Sequence, residues 1–323
     1  MLTAILKSNT IVAFVLSYLL GGLMLVLPFF FLPENSFNTD MLYAHWAFAW
    51  LQSKAPFIPY LCMIVIAIAA ILSRLRLREA KQVLGNSNLG MVAFVSLIMT
   101  QPTAALARPD ILVATLIVLG TFLLLLSTYK RESVLSEMFH VGLLLGTASL
   151  FAGQSILFLI PIGFSLLILR TGNWREWAVL SLGIVMTAIF IMMFAVWDES
   201  PFLAFLRVIQ SAWSGSTGFD SVNAGHLTLI PVALIGLSGL VGSLTIGTVT
   251  ERNIMLTNGA WILGGIPIVL LFGLSWQNGI ILIAFPLGVL ISRTLEKIKR
   301  WWLADLFLLS LIAAPFVSIL WRL

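Results

Sequence analysis

Eleven runs of 13 to 22 mostly apolar residues follow one another along this chain, and they limit its fold more than any motif does. They lie at 11–32, 57–72, 89–101, 111–127, 134–152, 156–169, 177–196, 227–248, 254–272, 279–291 and 303–320. Each is continuous and does not alternate apolar with polar, which excludes a β-barrel. A hydrocarbon core of ~30 Å takes about 20 helical residues, and fewer where a helix is short or re-entrant. The runs therefore predict an all-α integral membrane protein of about eleven transmembrane helices, a single polytopic domain over 1–323. Hydrophobic residues are 60% of the chain and charged residues only 10%, against roughly 25% charged in a soluble domain. That balance excludes a soluble enzyme, a disordered chain and a secreted disulfide scaffold. The one cysteine, Cys62, lies inside an apolar run and can form no internal disulfide or Cys-based metal site.

The few charges orient the bundle. With the N-terminus cytoplasmic and eleven spans alternating, the cytoplasmic side receives Lys7, Arg74, Arg76, Arg78, Lys81, Lys130, Arg131, Arg170, Arg175, Arg252, Arg293, Lys297, Lys299 and Arg300. Only Lys54, Arg108, Arg207 and Arg322 fall outside, which is the positive-inside asymmetry. The net charge of +5 is thus a topology signal and points to no nucleic-acid partner. The C-terminus is expected outside. Ten of the tryptophans fall near expected interfaces, as aromatic belts do, and Trp261 alone sits inside a span. No span carries Asp, Glu, Lys or Arg near its middle, which argues against a proton-coupled pump. His140 reads as a buried polar residue satisfied between helices.

Two loops are longer than a turn requires, and both face outward: 33–56 and 197–226. In the first, Asn38-Thr39-Asp40 can cap an interfacial helix carrying Met41, His45, Trp46, Phe48 and Leu51. In the second, 201–209 reads as another interfacial helix, followed by the bendable Ser214-Gly215-Ser216-Thr217-Gly218. The outward acids are Glu34, Asp40, Asp110, Asp198, Glu199 and Asp220, joined on that face by His45, His226 and Arg108. Any chemistry is expected there.

Three stretches, in order, resemble the C-type glycosyltransferase superfamily, whose members take sugars from polyprenyl-phosphate carriers. They are Asn38-Thr39-Asp40-Met41-Leu42-Tyr43-Ala44-His45-Trp46 in the first outward loop, Arg108-Pro109-Asp110-Ile111-Leu112 at the start of a span, and the Gly-rich Gly142-Leu143-Leu144-Leu145-Gly146-Thr147-Ala148-Ser149-Leu150-Phe151. The likeness covers roughly residues 1–175, leaving the 197–226 loop and the helices of 227–323 beyond it. In the turn after the Gly-rich span, where the superfamily often presents a basic group, this chain has Phe151-Ala152-Gly153-Gln154. The chain also resembles an uncharacterised bacterial inner-membrane family, through Asn173-Trp174-Arg175-Glu176-Trp177 and Trp302-Leu303-Ala304-Asp305-Leu306.

The first resemblance implies a membrane glycosyltransferase-like protein, acting with a polyprenyl-phosphate-linked sugar at the periplasmic face of the bacterial inner membrane in envelope assembly. Asp40 is then the candidate general base, since sugar transfer needs a carboxylate to deprotonate or orient the acceptor hydroxyl; its plainer reading is a helix cap. Arg108 is the candidate phosphate ligand, assisted by Lys54 and Arg207, because guanidinium binds phosphate in a bidentate manner. Asp110, His45 and Gln154 complete the substrate- and phosphate-binding set, although Asp110 at a helix start also complements the helix dipole without further function. Asp198 and Glu199 could hold a divalent cation with hard oxygen ligands, or be solvated acids after an interfacial tryptophan; no cofactor is otherwise demanded. Membrane lipids are the expected partners, with a polyprenyl-phosphate carrier and a protein docking on 197–226 as further ones. A non-catalytic membrane subunit of an envelope or secretion complex is the alternative, and a lipid or small-molecule transporter the third.

Overall fold

The computed structural model describes residues 89–99, 109–129, 131, 133–170, 173–197, 249–271, 276–298 and 300–320, with residues 3, 6, 15, 16, 19 and 20. Among them the fold is all-α, with eight helices and no strand. These are α1 (Leu89–Met99), α2 (Pro109–Ser127), α3 (Leu135–Phe151), α4 (Leu159–Leu169), α5 (Trp174–Trp197), α6 (Val249–Leu271), α7 (Trp276–Lys297) and α8 (Trp301–Leu320), with a 3-10 turn, Gly153–Phe158, leading into α4. Each lies over one of the apolar runs. The runs at 57–72 and 227–248, the loop 33–56 and residues 198–226 of the second loop, with both expected interfacial helices, lie outside the described residues, while Trp197 ends α5. Among the described residues no helix is long and apolar enough to cross a membrane. The longest, α5, has 24 residues.

Local chemistry sets several helix ends. Pro109 opens α2, where a fixed φ and a missing N–H cost nothing. Asn173 caps α5, its Oδ1 accepting the Arg175 backbone N–H at 3.2 Å. The helices outrun the apolar runs where polar residues continue them. α7 extends to Lys297 and includes an Arg293–Glu296 pair one turn apart, at 3.4 Å. In the other direction, the run expected to start a helix at 156 begins as the tighter 3-10 turn, after Ala152 in an extended conformation.

Close approaches fix how the helices sit together. α3 packs most extensively on α5, and glycines make this possible. A Cβ on Gly142 would lie 2.0 Å from the Leu180 carbonyl oxygen, and one on Gly183 would lie 2.4 Å from that of Phe139. One turn along, Gly146 faces Thr187. Small residues four apart on both helices let the backbones touch. On the other side of the bundle, Gly288 of α7 lies over the Phe94 backbone of α1. Between these seams runs a chain of aromatic rings: Phe94 to Phe285 at 5.6 Å, Phe285 to Phe122 at 5.6 Å, Phe122 to Trp261 at 4.9 Å and Trp261 to Phe158 at 5.5 Å. It joins α1, α7, α2, α6 and the 3-10 turn; all five rings are buried, and most contacts are edge-to-face. The far ends of the chain meet where Asp305 of α8 accepts hydrogen bonds from the Thr3 backbone N–H and hydroxyl at 2.7 and 2.6 Å.

These contacts also decide which helix ends lie together. Trp261 meets Ser165 and Gly264 meets Pro161, so α6 runs antiparallel to α4. Gly265 meets Ile283, and Gly288 meets Phe94 while Gly90 meets Ser292, so α7 is antiparallel to both α6 and α1. One end of the bundle therefore gathers the start of α1, the α2–α3 turn, the α4–α5 turn, the start of α6 and the α7–α8 turn. All described bases are there: Arg131, Arg170, Arg175, Arg252, Arg293, Lys297 and Arg300.

Candidate functional site

The opposite end of the bundle is where the sequence places chemistry. α2 starts there, and α3 returns there from its short turn, so Pro109 and Asp110 at the head of α2 share that end with Gln154 in the 3-10 turn. Two of the three stretches that carry the family resemblance thus sit together. Asp40, His45, Lys54, Arg108, Asp198, Glu199, Arg207 and His226 lie outside the described residues. Among the described residues no group of three His, Cys, Asp or Glu side chains could hold a metal.

The turn opens on small residues, Gly153 and Ser155, before Ile156, Leu157 and Phe158. The Ser155 N–H donates to the Ala152 carbonyl at 2.8 Å, and the Ser155 side chain points inward, fully buried. The 3-10 turn and α4 then form one continuous helical rod starting at Gly153 with no side chain capping it. An uncapped start leaves backbone N–H groups for an acceptor from outside the rod. The described chemistry at this end is thus the uncapped start at Gly153 and the buried Ser155 hydroxyl, whose Oγ has no hydrogen-bond partner.

The base-rich end carries the strongest polar cluster, which the sequence reading treats only as orienting charge. Arg170, in extended conformation just past α4, pairs Nε with Glu176 Oε1 at 3.0 Å. Its Nη1 donates to the Arg131 carbonyl at 2.8 Å and to that of Thr128 at 3.4 Å. One guanidinium thereby ties the end of α4, the first turn of α5 and the α2–α3 turn. Glu176 is 4% exposed, so the pair is a positioning clamp and not a solvated surface contact. Arg131 continues the cluster to Glu137 at 2.7 Å. The sequence signal was an arginine ending an apolar run six residues before a glutamate, which gives no hint that both turn inward.

His140 corrects an expectation. It is exposed on α3, and its Nδ1 lies 2.6 Å from the Ser136 carbonyl; it is not buried between helices, because the α3 faces that meet α2 and α5 are occupied by small and aliphatic residues. Trp261, which the sequence places inside a run, is fully buried, and its Nε1–H donates to Ser165 Oγ at 2.9 Å. Ser165→Ala leaves that indole N–H unmatched in the core, and a loss of about 1–2 kcal/mol is expected in thermal unfolding. Unchanged stability would mean that the bond contributes nothing.

No protein-family model, curated protein or solved structure matches the chain.

Proposed function

We propose that the chain is a multi-pass helical membrane protein of about eleven spans in a bacterial inner membrane, its base-rich end cytoplasmic, and that its opposite face holds a polyprenyl-phosphate glycosyltransferase-like site. One observation supports the membrane part above the others. Ile160, Phe164 and Leu167 of α4, with Leu182, Val185, Met186, Ile189, Phe190 and Met193 of α5, are all exposed, to between 39% and 64%. Soluble monomers rarely expose contiguous apolar area beyond a few hundred Å². Exposed Trp174 bounds the α5 face at the base-rich end, with Arg175 6.0 Å from its ring, and exposed Trp301 and Trp302 beside Arg300 start α8 at that same end of the bundle. Aromatic and basic residues at the end of an apolar band are what a headgroup boundary selects.

The glycosyltransferase part rests on the resemblance, and the shared end of Asp110 and Gln154 supports it. A lipid carrier would reach that end from the bilayer, Arg108 would bind its phosphate, and Asp40 would orient the acceptor hydroxyl. In cells whose envelope glycan depends on this chain, Asp40→Asn and Arg108→Ala are expected to lower glycan at least tenfold while the protein stays inserted. Full glycan in both variants, with a partner protein lost on changing 197–226, would replace this reading by a non-catalytic membrane subunit.

A further inference from the structure

The buried hydroxyls of the described helices largely satisfy themselves. Thr115, Thr121, Thr128, Ser165, Ser292 and Thr294 each donate to a carbonyl three or four residues back, at 2.6–2.9 Å. Asn258 of α6 has no such outlet. Its side chain is fully buried, and neither Oδ1 nor Nδ2 has a hydrogen-bond partner. A carboxamide stripped of water and left unpaired is destabilising, so a buried one calls for a partner beyond the protein's own groups.

Its surroundings follow from the close approaches. Gly265, two turns further on, shares its face and meets Ile283 of α7, where a Cβ would lie 2.3 Å from that side chain. Antiparallel continuation of this register brings Leu290 opposite Asn258, with Thr294 one turn beyond; both are buried. Thr294 has given its proton to the Leu290 carbonyl, so its oxygen can still accept. Trp261, three residues after Asn258, turns toward Ser165 of α4 and is already satisfied.

The missing partner's chemistry can be read from the carboxamide. It must donate to Oδ1 and also accept from Nδ2. A cation would meet the oxygen and face the N–H protons, while an anion would meet the N–H and face the oxygen. A neutral O–H group does both with a single atom, and complete burial where Gly265 packs tightly on the Ile283 side chain of α7 restricts it to a small one. We infer that Asn258 holds one water molecule between α6 and α7, bridging toward the Thr294 hydroxyl oxygen. The water would join α6 to α7 at that level, and the site is independent of the glycosyltransferase reading.

Crystals of the full chain grown from a lipidic mesophase test this directly. A single isolated solvent peak about 2.6–3.2 Å from both Oδ1 and Nδ2 is the expected result. No peak, a carboxamide bonded to a protein group, or an elongated density from a larger ligand would overturn it. A second readout is the melting temperature of Asn258→Leu, expected within about 2 °C of the parent, because the amide and its water leave together. A rise of about 5 °C or more would show that the amide was dry and would also overturn the inference.

Discussion

Gly142→Ala is expected to destabilise the protein by about 2–3 kcal/mol or more, although alanine is the better helix former. Helix propensity alone favours alanine by about 1 kcal/mol. Against this, the added Cβ would sit 2.0 Å from the Leu180 carbonyl oxygen and 3.3 Å from the Gly183 Cα. Backbone atoms cannot rotate away, so α3 and α5 must separate along their most extensive seam, and the Gly146–Thr187 contact one turn on opens with it. Overpacking costs of this kind run to about 1–3 kcal/mol and sometimes beyond. Gly120→Ala supplies the contrast, since its Cβ would meet only Leu144 Cδ1 at an ordinary 3.7 Å. Thermal unfolding in one detergent should place Gly120→Ala at or slightly above the parent and Gly142→Ala well below it. Equal stabilities would show that the two helices are not in backbone contact.

Arg170→Ala should cost about 3 kcal/mol, by a different route. It removes the partner of Glu176 and the donor to the Thr128 and Arg131 carbonyls together. Breaking a buried pair from one side is costly because the remaining charge has neither water nor counter-ion. Arg170 is 18% exposed at its side chain and Glu176 6%, so some solvent relief keeps the figure toward the lower end of the range. Removing both charges should hurt less than removing one. Arg170→Met with Glu176→Leu is expected to recover more than half of the loss, and a double-mutant cycle measures this as a coupling energy above about 1 kcal/mol. A coupling near zero would demote the clamp to a surface contact.

The helical class and the positions of the helices were legible from the apolar runs, since only a continuous run can build a helix with apolar residues on every side. Helix ends were less legible, because Thr250, Arg252 and Asn253 at the start of α6, and Arg293 to Lys297 at the end of α7, are as compatible with helix as the apolar residues beside them. Gathering of the described bases at one end was legible as well, because alternating direction is a counting property of the runs. What stayed hidden needed a partner helix to become visible. Gly142 and Gly183 read as two glycines in separate runs, and their meaning lies in the 40 intervening positions folding back. Arg170 and Glu176 read as loop charges until the turn buried them. Asn258 was overlooked because a lone amide in an apolar run shows neither its burial nor its missing partner.

A cysteine placed at Ile189 tests the membrane reading most directly. Cys62→Ser supplies a cysteine-free background, since the chain has one cysteine. Ile189 is 45% exposed on α5, and Trp174 at the base-rich start of the same helix is 72% exposed. In sealed vesicles, a charged, membrane-impermeant maleimide should leave Ile189→Cys unlabelled from either side, and label Trp174→Cys only when the cytoplasmic side is presented. Labelling of Ile189→Cys at the rate of a water-exposed thiol would contradict a bundle whose apolar face is covered by lipid.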